Sequence, residues 1–265
     1  MLVAHRGGAA LAPENTLVAF RSAVTEWRAD MLELDVRLTR DGHVVVIHDA
    51  TLDRTTDGSG PVADRRLDEI QALDAGYRFR DPEGRAPFEG RGARVPTLAE
   101  VLVACPYVRI NAEVKEARVA GPCRDVIEAH GAWDRVLVAA DHEEWRDGAR
   151  GYRGPWGASR RQLHAFWLSH RLPGGGPYTP GADVLQVPEA WDGRRIVTPR
   201  FVREAHRRNL PVHVWTVDDV DDMRRLLAWG VDGIQTDRPD LLATVLREVA
   251  GRPPPPGLAG AGGVR

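Results

Sequence analysis

The chain has 265 residues, 43% hydrophobic and 28% charged, with a formal net charge of −2. That length suits an α/β barrel, which runs to roughly 250 residues, and it is enough to bury a sizeable core. The near-neutral balance excludes a basic footprint for nucleic acid or anionic membrane, and no apolar run approaches the ~18 residues of a membrane span. Two cysteines, Cys105 and Cys123, are too few for a disulfide scaffold or a cysteine-built zinc site, and they are expected to be buried thiols. The opening MLVAHRG lacks the basic and long apolar segments of a secretory signal, so the expected location is cytoplasmic. All basic residues are arginine except Lys115.

Short β-branched runs alternate with stretches of helical period. Leu2–Ala4 reads as a first strand, and 17–28 as a helix with Leu17, Phe20, Val24 and Trp27 on one stripe, capped by Asn15 or Thr16. A strand follows at 31–36. Residues 44–48 come too soon after it for a parallel crossover, and Asp41-Gly42 reads as a hairpin turn. Pairing across that turn sums to 83 and sets His48 opposite Asp35. Residues 51–95, rich in Gly, Arg, Asp and Pro, read as an inserted excursion before a helix at 98–102. Further strands are expected at 108–114, 136–139, 163–168, 184–187, 212–217 and Gly233–Thr236, with helices at 199–209 and 219–229. Eight strands separated by helices imply a (β/α)8 TIM barrel over 1–250 with a small insertion after the second-strand hairpin. An open doubly wound sheet is the alternative, weakened by the lack of a G-x-G-x-x-G turn after the first strand. The tail 251–265 (GRPPPPGLAGAGGVR) reads as disordered.

Alternate residues of a strand share a face, so Glu33 and Asp35 point one way and Leu32, Leu34 and Val36 the other. Asn111, Glu113 and Lys115 repeat this pattern on a later strand. Three inward carboxylates are costly unless a divalent cation compensates them; the plain alternatives are a solvated edge and a surface Glu113–Lys115 pair. His5 stands at the C-terminal end of the first strand, where such barrels build active sites, and His48 is expected beside Asp35. Two histidines beside carboxylates suit acid/base work, although a lone histidine is more often a hydrogen-bonded core residue. Arg6 would neutralise an anionic substrate, with Gly7-Gly8 allowing close backbone approach. Trp215, on one face with His213, lines a pocket mouth or sits in the core. His43, His130, His142, His164, His170 and His206 read as surface residues. Motifs of serine hydrolases, NTPases and zinc proteases are missing.

The chain resembles the glycerophosphodiester phosphodiesterase family. The resemblance rests on His5-Arg6-Gly7, Pro13-Glu14-Asn15-Thr16, Glu33-x-Asp35, Thr39-Arg40-Asp41-Gly42, His48-Asp49, Leu52-x-Arg54-Thr55-Thr56 and Val95-Pro96-Thr97-Leu98. It continues through Asn111-Ala112-Glu113-Val114-Lys115, Val214-Trp215-Thr216-Val217 and 230–239 (GVDGIQTDRP). It departs from the family at Ala139-Ala140-Asp141, where a Ser-Phe pair is frequent, and at Asp218, where Asn is common. Both are expected to bear on head-group fit. The stretch 141–182 matches least.

The resemblance implies a (β/α)8 barrel and one divalent cation, Mg²⁺ or Ca²⁺, held by Glu33, Asp35 and Glu113. It makes His5 and His48 the acid/base pair, with Arg6 and Lys115 on the phosphate and Trp215 lining the glycerol or leaving-group side. The implied reaction is hydrolysis of a small-molecule glycerophosphodiester to glycerol 3-phosphate and an alcohol. It begins either with a neighbouring glycerol hydroxyl, through a cyclic phosphate, or with water directly. The rival expectations are a lysophospholipase D acting on lysophospholipids and, remotely, a non-catalytic phosphodiester-binding barrel. Neither the oligomeric state nor the roles of the two histidines follow from the sequence.

Overall fold

The structure, a computed structural model, describes residues 1–260. In chain order the elements begin β1 (Leu2–Ala4), α1 (Leu17–Thr25), β2 (Met31–Leu38), β3 (Val44–Val46), α2 (Leu67–Gln71), α3 (Leu98–Ala104), β4 (Arg109–Val114), α4 (Ala120–Ala129) and β5 (Val136–Ala140). They continue α5 (Glu143–Arg146), α6 (Arg160–Ser169), β6 (Leu185–Pro188), β7 (Ala190–Trp191), β8 (Arg194–Arg195), α7 (Pro199–His206), β9 (Val212–Trp215), α8 (Val220–Ala228), β10 (Gly233–Thr236), α9 (Pro239–Ala250) and α10 (Pro256–Gly260). Seven parallel strands run in the order β5-β4-β2-β1-β10-β9-β6. The gap between β5 and β6 is bridged by parallel pairings of Val138 with Trp156 and Gly157 with Val184. Residues 155–158 thus serve as the eighth stave, and the fold is an α/β barrel.

That stave corrects the expected strand at 163–168, which lies inside α6. Ser159 Oγ accepts from the Gln162 amide at 3.3 Å, and Gln162 Oε1 accepts from the Ser159 amide at 3.0 Å. This reciprocal cap commits the chain to a helix before the apolar run begins. The hairpin after β2 also differs by one residue. Val36 pairs with Val46 and Leu38 with Val44, a sum of 82, so Ile47 rather than His48 stands opposite Asp35. The loop has three residues, Arg40-Asp41-Gly42, ending on Gly42 in the left-handed region (φ +84°), instead of the two assumed. At α1 the cap is Thr16, which accepts from the Ala19 amide, while Asn15 turns inward.

Outward-facing Leu32, Leu34 and Val36 join Ile110, Ala112, Val114 and the helices in the main core, so the parity expected for β2 and β4 holds. The excursion at 51–95 carries its own small core: Leu52, Val62 and Ile70 pack against Val45 and Ile47 of the hairpin. The tail is not free where it begins. Arg252 pairs with Asp30 at 2.5 Å, Pro255 is buried, and the Gly257 amide donates to the Glu26 carbonyl at 2.9 Å. Side-chain pairing and a buried proline hold 252–257 where composition suggested disorder; 261–265 lie outside the described residues. His170, read as a surface residue, is buried against Phe166 and Phe201. Both cysteines are buried free thiols. Among the described residues no helix is long and apolar enough to cross a membrane.

Candidate active site

The C-terminal end of the barrel opens into a cavity of about 510 Å³, which all the sequence-predicted site residues except Asp35 line directly. His5 leaves β1 into a tight turn in which Arg6 takes φ +50° and Gly7 φ +85°. A Cβ on Gly7 would stand 2.7 Å from that of Ala19, so glycine is needed there for conformation and for contact with α1. The turn aims the Arg6 amide at Glu33 Oε2, 2.9 Å away, and sets its guanidinium Nε 3.2 Å from Asp35 Oδ2.

Glu33 and Asp35 are 2% and 1% exposed, and the parallel register places Asp35 beside Glu113 and Glu33 beside Asn111. One oxygen from each of Glu33, Asp35 and Glu113 lies within 4.8 Å of the others. Lys115 Nζ approaches Asp35 Oδ1 at 3.0 Å and Glu113 Oε1 at 2.7 Å. Burial alone would push all three acids toward the neutral form. Lys115 and Arg6 outweigh burial at Asp35 and hold it below the usual carboxylate range. Burial and the neighbouring Asp35 charge drive Glu33 up, and burial raises Glu113. Lys115 resists its own desolvation through Asp35 and Glu113 and stays firmly charged. An all-oxygen donor set that crowds its own charges this closely fits a hard divalent cation.

Each histidine is oriented through Nδ1, which leaves Nε2 for chemistry. His5 Nδ1 lies 2.8 Å from Asp237 Oδ1, with Nε2 3.8 Å from Glu33; His48 Nδ1 lies 2.6 Å from Asp49 Oδ1. Burial would lower the pKa of His5, but Glu33 and Asp237 outweigh it and raise the ring to about 9. The register shift leaves His48 beyond the end of β3, where Arg37 Nε donates to its carbonyl at 2.8 Å. Trp215 is 40% exposed at the cavity rim, which resolves its two readings in favour of the mouth.

The sequence did not assign several supporting residues the roles they take here. Asn15 Nδ2 donates to Asp35 Oδ2 at 2.8 Å from a left-handed backbone (φ +59°). Arg54 binds Asp49 and Glu14 with two hydrogen bonds each, and Glu14 accepts from Arg6 at 3.1 Å, which links the two histidine loops. Asp218 accepts from Thr236 Oγ1 and the Asp237 amide, both at 2.8 Å. It therefore braces the loop that orients His5 and does not line the cavity, whereas Ala139, Ala140 and Asp141 do.

The model of the glycerophosphoryl diester phosphodiesterase family matches residues 5–130 and 174–241. The chain is 33% identical to a glycerophosphodiester phosphodiesterase of Caldanaerobacter subterraneus subsp. tengcongensis, over 94% of this chain and 98% of that protein. Among solved structures it is similar to a glycerophosphoryl diester phosphodiesterase domain from Mycobacterium tuberculosis (TM-score 0.82, 23% identity, 94% and 98% of the two chains). It is also similar to a phosphodiesterase of Oleispira antarctica in complex with its product sn-glycerol-3-phosphate (TM-score 0.72, 22% identity, 93% and 96% covered). At these identities the two structures speak for the fold.

Proposed function

Because the chain belongs to the glycerophosphoryl diester phosphodiesterase family and is an enzyme of that activity, we propose that it hydrolyses glycerophosphodiesters to glycerol 3-phosphate and an alcohol, with His5 and His48 as the acid/base pair. The observation that carries this reading is the pair of carboxylate-oriented imidazoles flanking a carboxylate triad, two of whose members are buried, and two cations at one barrel end. The related phosphodiesterase that holds sn-glycerol-3-phosphate supports the choice of product.

Glu33, Asp35 and Glu113 would hold the cation, Mg²⁺ or Ca²⁺, which when bound supplies Lewis-acid stabilisation of charge on the phosphate. Arg6 and Lys115 bring two fixed positive charges to the same oxygens, in a buried setting where such charges act more strongly than in water. One histidine accepts the proton of the attacking hydroxyl at Nε2, and the other donates a proton to the departing alcohol oxygen. Asp49 and Asp237 hold the rings in the orientation and tautomer this requires. Trp215 covers the mouth on the glycerol or leaving-group side.

The test is release of glycerol 3-phosphate from glycerophosphocholine and glycerophosphoethanolamine after chelation, then with Mg²⁺ or Ca²⁺ restored. Metal-dependent release is the expected result. No release with either cation would defeat the proposal.

A further inference from the structure

A second cavity of about 540 Å³ adjoins the catalytic one, and the two share Arg160, Leu163, Pro188 and Trp191 in their walls. We propose that this chamber receives the alcohol half of the diester and selects alcohols that carry negative charge of their own. The inference rests on the phosphodiesterase reading and adds the class of head group.

Two features argue for an anionic occupant. The guanidinium carbon of Arg160 lies 4.3 Å from the Trp191 ring centroid, and that of Arg171 lies 3.4 Å from the Trp167 ring centroid. Cationic groups therefore already occupy one face of each of these two tryptophans, where they repel a quaternary ammonium head group. Arg160 and Arg194, both on the chamber wall, form no ion pair among the described residues, whereas their neighbours Arg161 and Arg195 reach Glu143 and Glu189, each at 3.8 Å. One acid, Asp192, lines the chamber against these two cations. Unpaired guanidiniums at a wall are ready donors for a phosphate or carboxylate. Leu163, Val187, Pro188 and Ile196 add apolar wall that can pack against the carbon skeleton.

The chamber is built from two segments of the chain, one matched by the family model and one not. Arg194 comes from the hairpin of β7 and β8, turned through Asp192 and Gly193 in the left-handed region (φ +48° and +71°). Arg160, Leu163, Trp167 and Arg171 all fall in the 131–173 gap that the family model leaves unmatched.

The experiment compares kcat/KM for 1,3-bis(glycerophospho)glycerol, whose leaving alcohol carries a second phosphodiester, with that for glycerophosphocholine. Wild-type chain is expected to favour the first by about tenfold or more. The preference should shrink toward parity in R160Q/R194Q, and in about 0.5 M salt, where exposed charges are screened. Parity in the wild type, or a preference that survives R160Q/R194Q, overturns the proposal. Faster cleavage of lysophosphatidylcholine than of either substrate, indifferent to those replacements, would assign the chamber to an acyl chain and also overturn it. If nothing is cleaved, the phosphodiesterase reading fails separately, and calorimetry with 1,3-bis(glycerophospho)glycerol still decides the chamber. Binding weakened about tenfold by R160Q/R194Q supports it, and equal binding overturns it.

Discussion

The two ends of the barrel each carry a histidine, one partly and one fully buried, and the two rings are pushed in opposite directions. At the C-terminal end, His5 meets Glu33 and Asp237 and its pKa rises to about 9 in spite of burial. At the N-terminal end, His213 on β9 is 5% exposed, its Nδ1 has no partner among the described residues, and burial lowers it to about 4. The acids differ in the same way. Asp30 and Asp232 each satisfy a strand amide and one basic side chain: Leu2 and Arg252 for the first, Val212 and His206 for the second. Glu33, Asp35 and Glu113 crowd one another instead. One end spends its polar groups on holding strands together, and the other concentrates charge that only a ligand relieves. This is the division of labour expected of the two faces of such a barrel.

If the division is right, substitutions at the upper end change rate and metal binding, and those at the lower end change stability. The largest effect is expected from His5→Ala and His48→Ala, each lowering kcat/KM by about 10²–10⁴-fold while calorimetry finds metal affinity retained. Near-normal turnover in either variant would remove that ring from the chemistry.

His213 tests the lower end through pH. With a folded pKa near 4 against an ordinary 6.5, the unfolded chain takes up a proton that the folded ring refuses. The stability due to this group is therefore complete above pH 6.5 and falls by about 3 kcal/mol between pH 6.5 and 4, then levels off. Urea unfolding across that window should be flatter in His213→Leu, and identical slopes for both chains would contradict a neutral buried ring. Gly233 gives the ring its room, since a Cβ there would stand 2.6 Å from the imidazole.

Asp35→Asn should weaken Mg²⁺ or Ca²⁺ binding by about 100-fold, measured by calorimetry, and unchanged affinity would take Asp35 out of the cation site. The smallest effect is expected from Arg252→Ala. Breaking its partly exposed pair with Asp30 should cost about 0.2–1 kcal/mol by thermal unfolding and leave kcat/KM as it was. A drop in rate there would blur the distinction between the two ends.

Most of the candidate site could be read locally. The i, i+2 spacing of Glu33 with Asp35 and of Asn111, Glu113 and Lys115 fixed their shared face, because side-chain parity in a strand is a property of the backbone. The supporting groups could not be read that way. Asp237 reaches His5 across 232 positions of sequence, and Asn15 reaches Asp35 only because its backbone enters the left-handed region. The apolar run at 163–168 fits a strand as readily as a helix by itself; the cap at Ser159 and Gln162 in front of it marks the helix, and 155–158 takes the strand's place in the barrel.

From its sequence alone the chain determined its alternation of strands and helices, the inserted excursion, and an inward acidic set with a histidine at the end of the first strand. These follow from periods of two and 3.6 and from turn chemistry, which act over a few residues. The tertiary structure decided the hairpin register, the eighth stave, the docking of the tail, the carboxylates that orient the two rings and the opposite fates of His5 and His213. The register turns on the length of one loop and Asp49 lies next to His48 in the chain, but the eighth stave, the docked tail and the fates of His5 and His213 depend on what a group meets across the closed barrel, where burial and Coulomb interaction are set by neighbours in space.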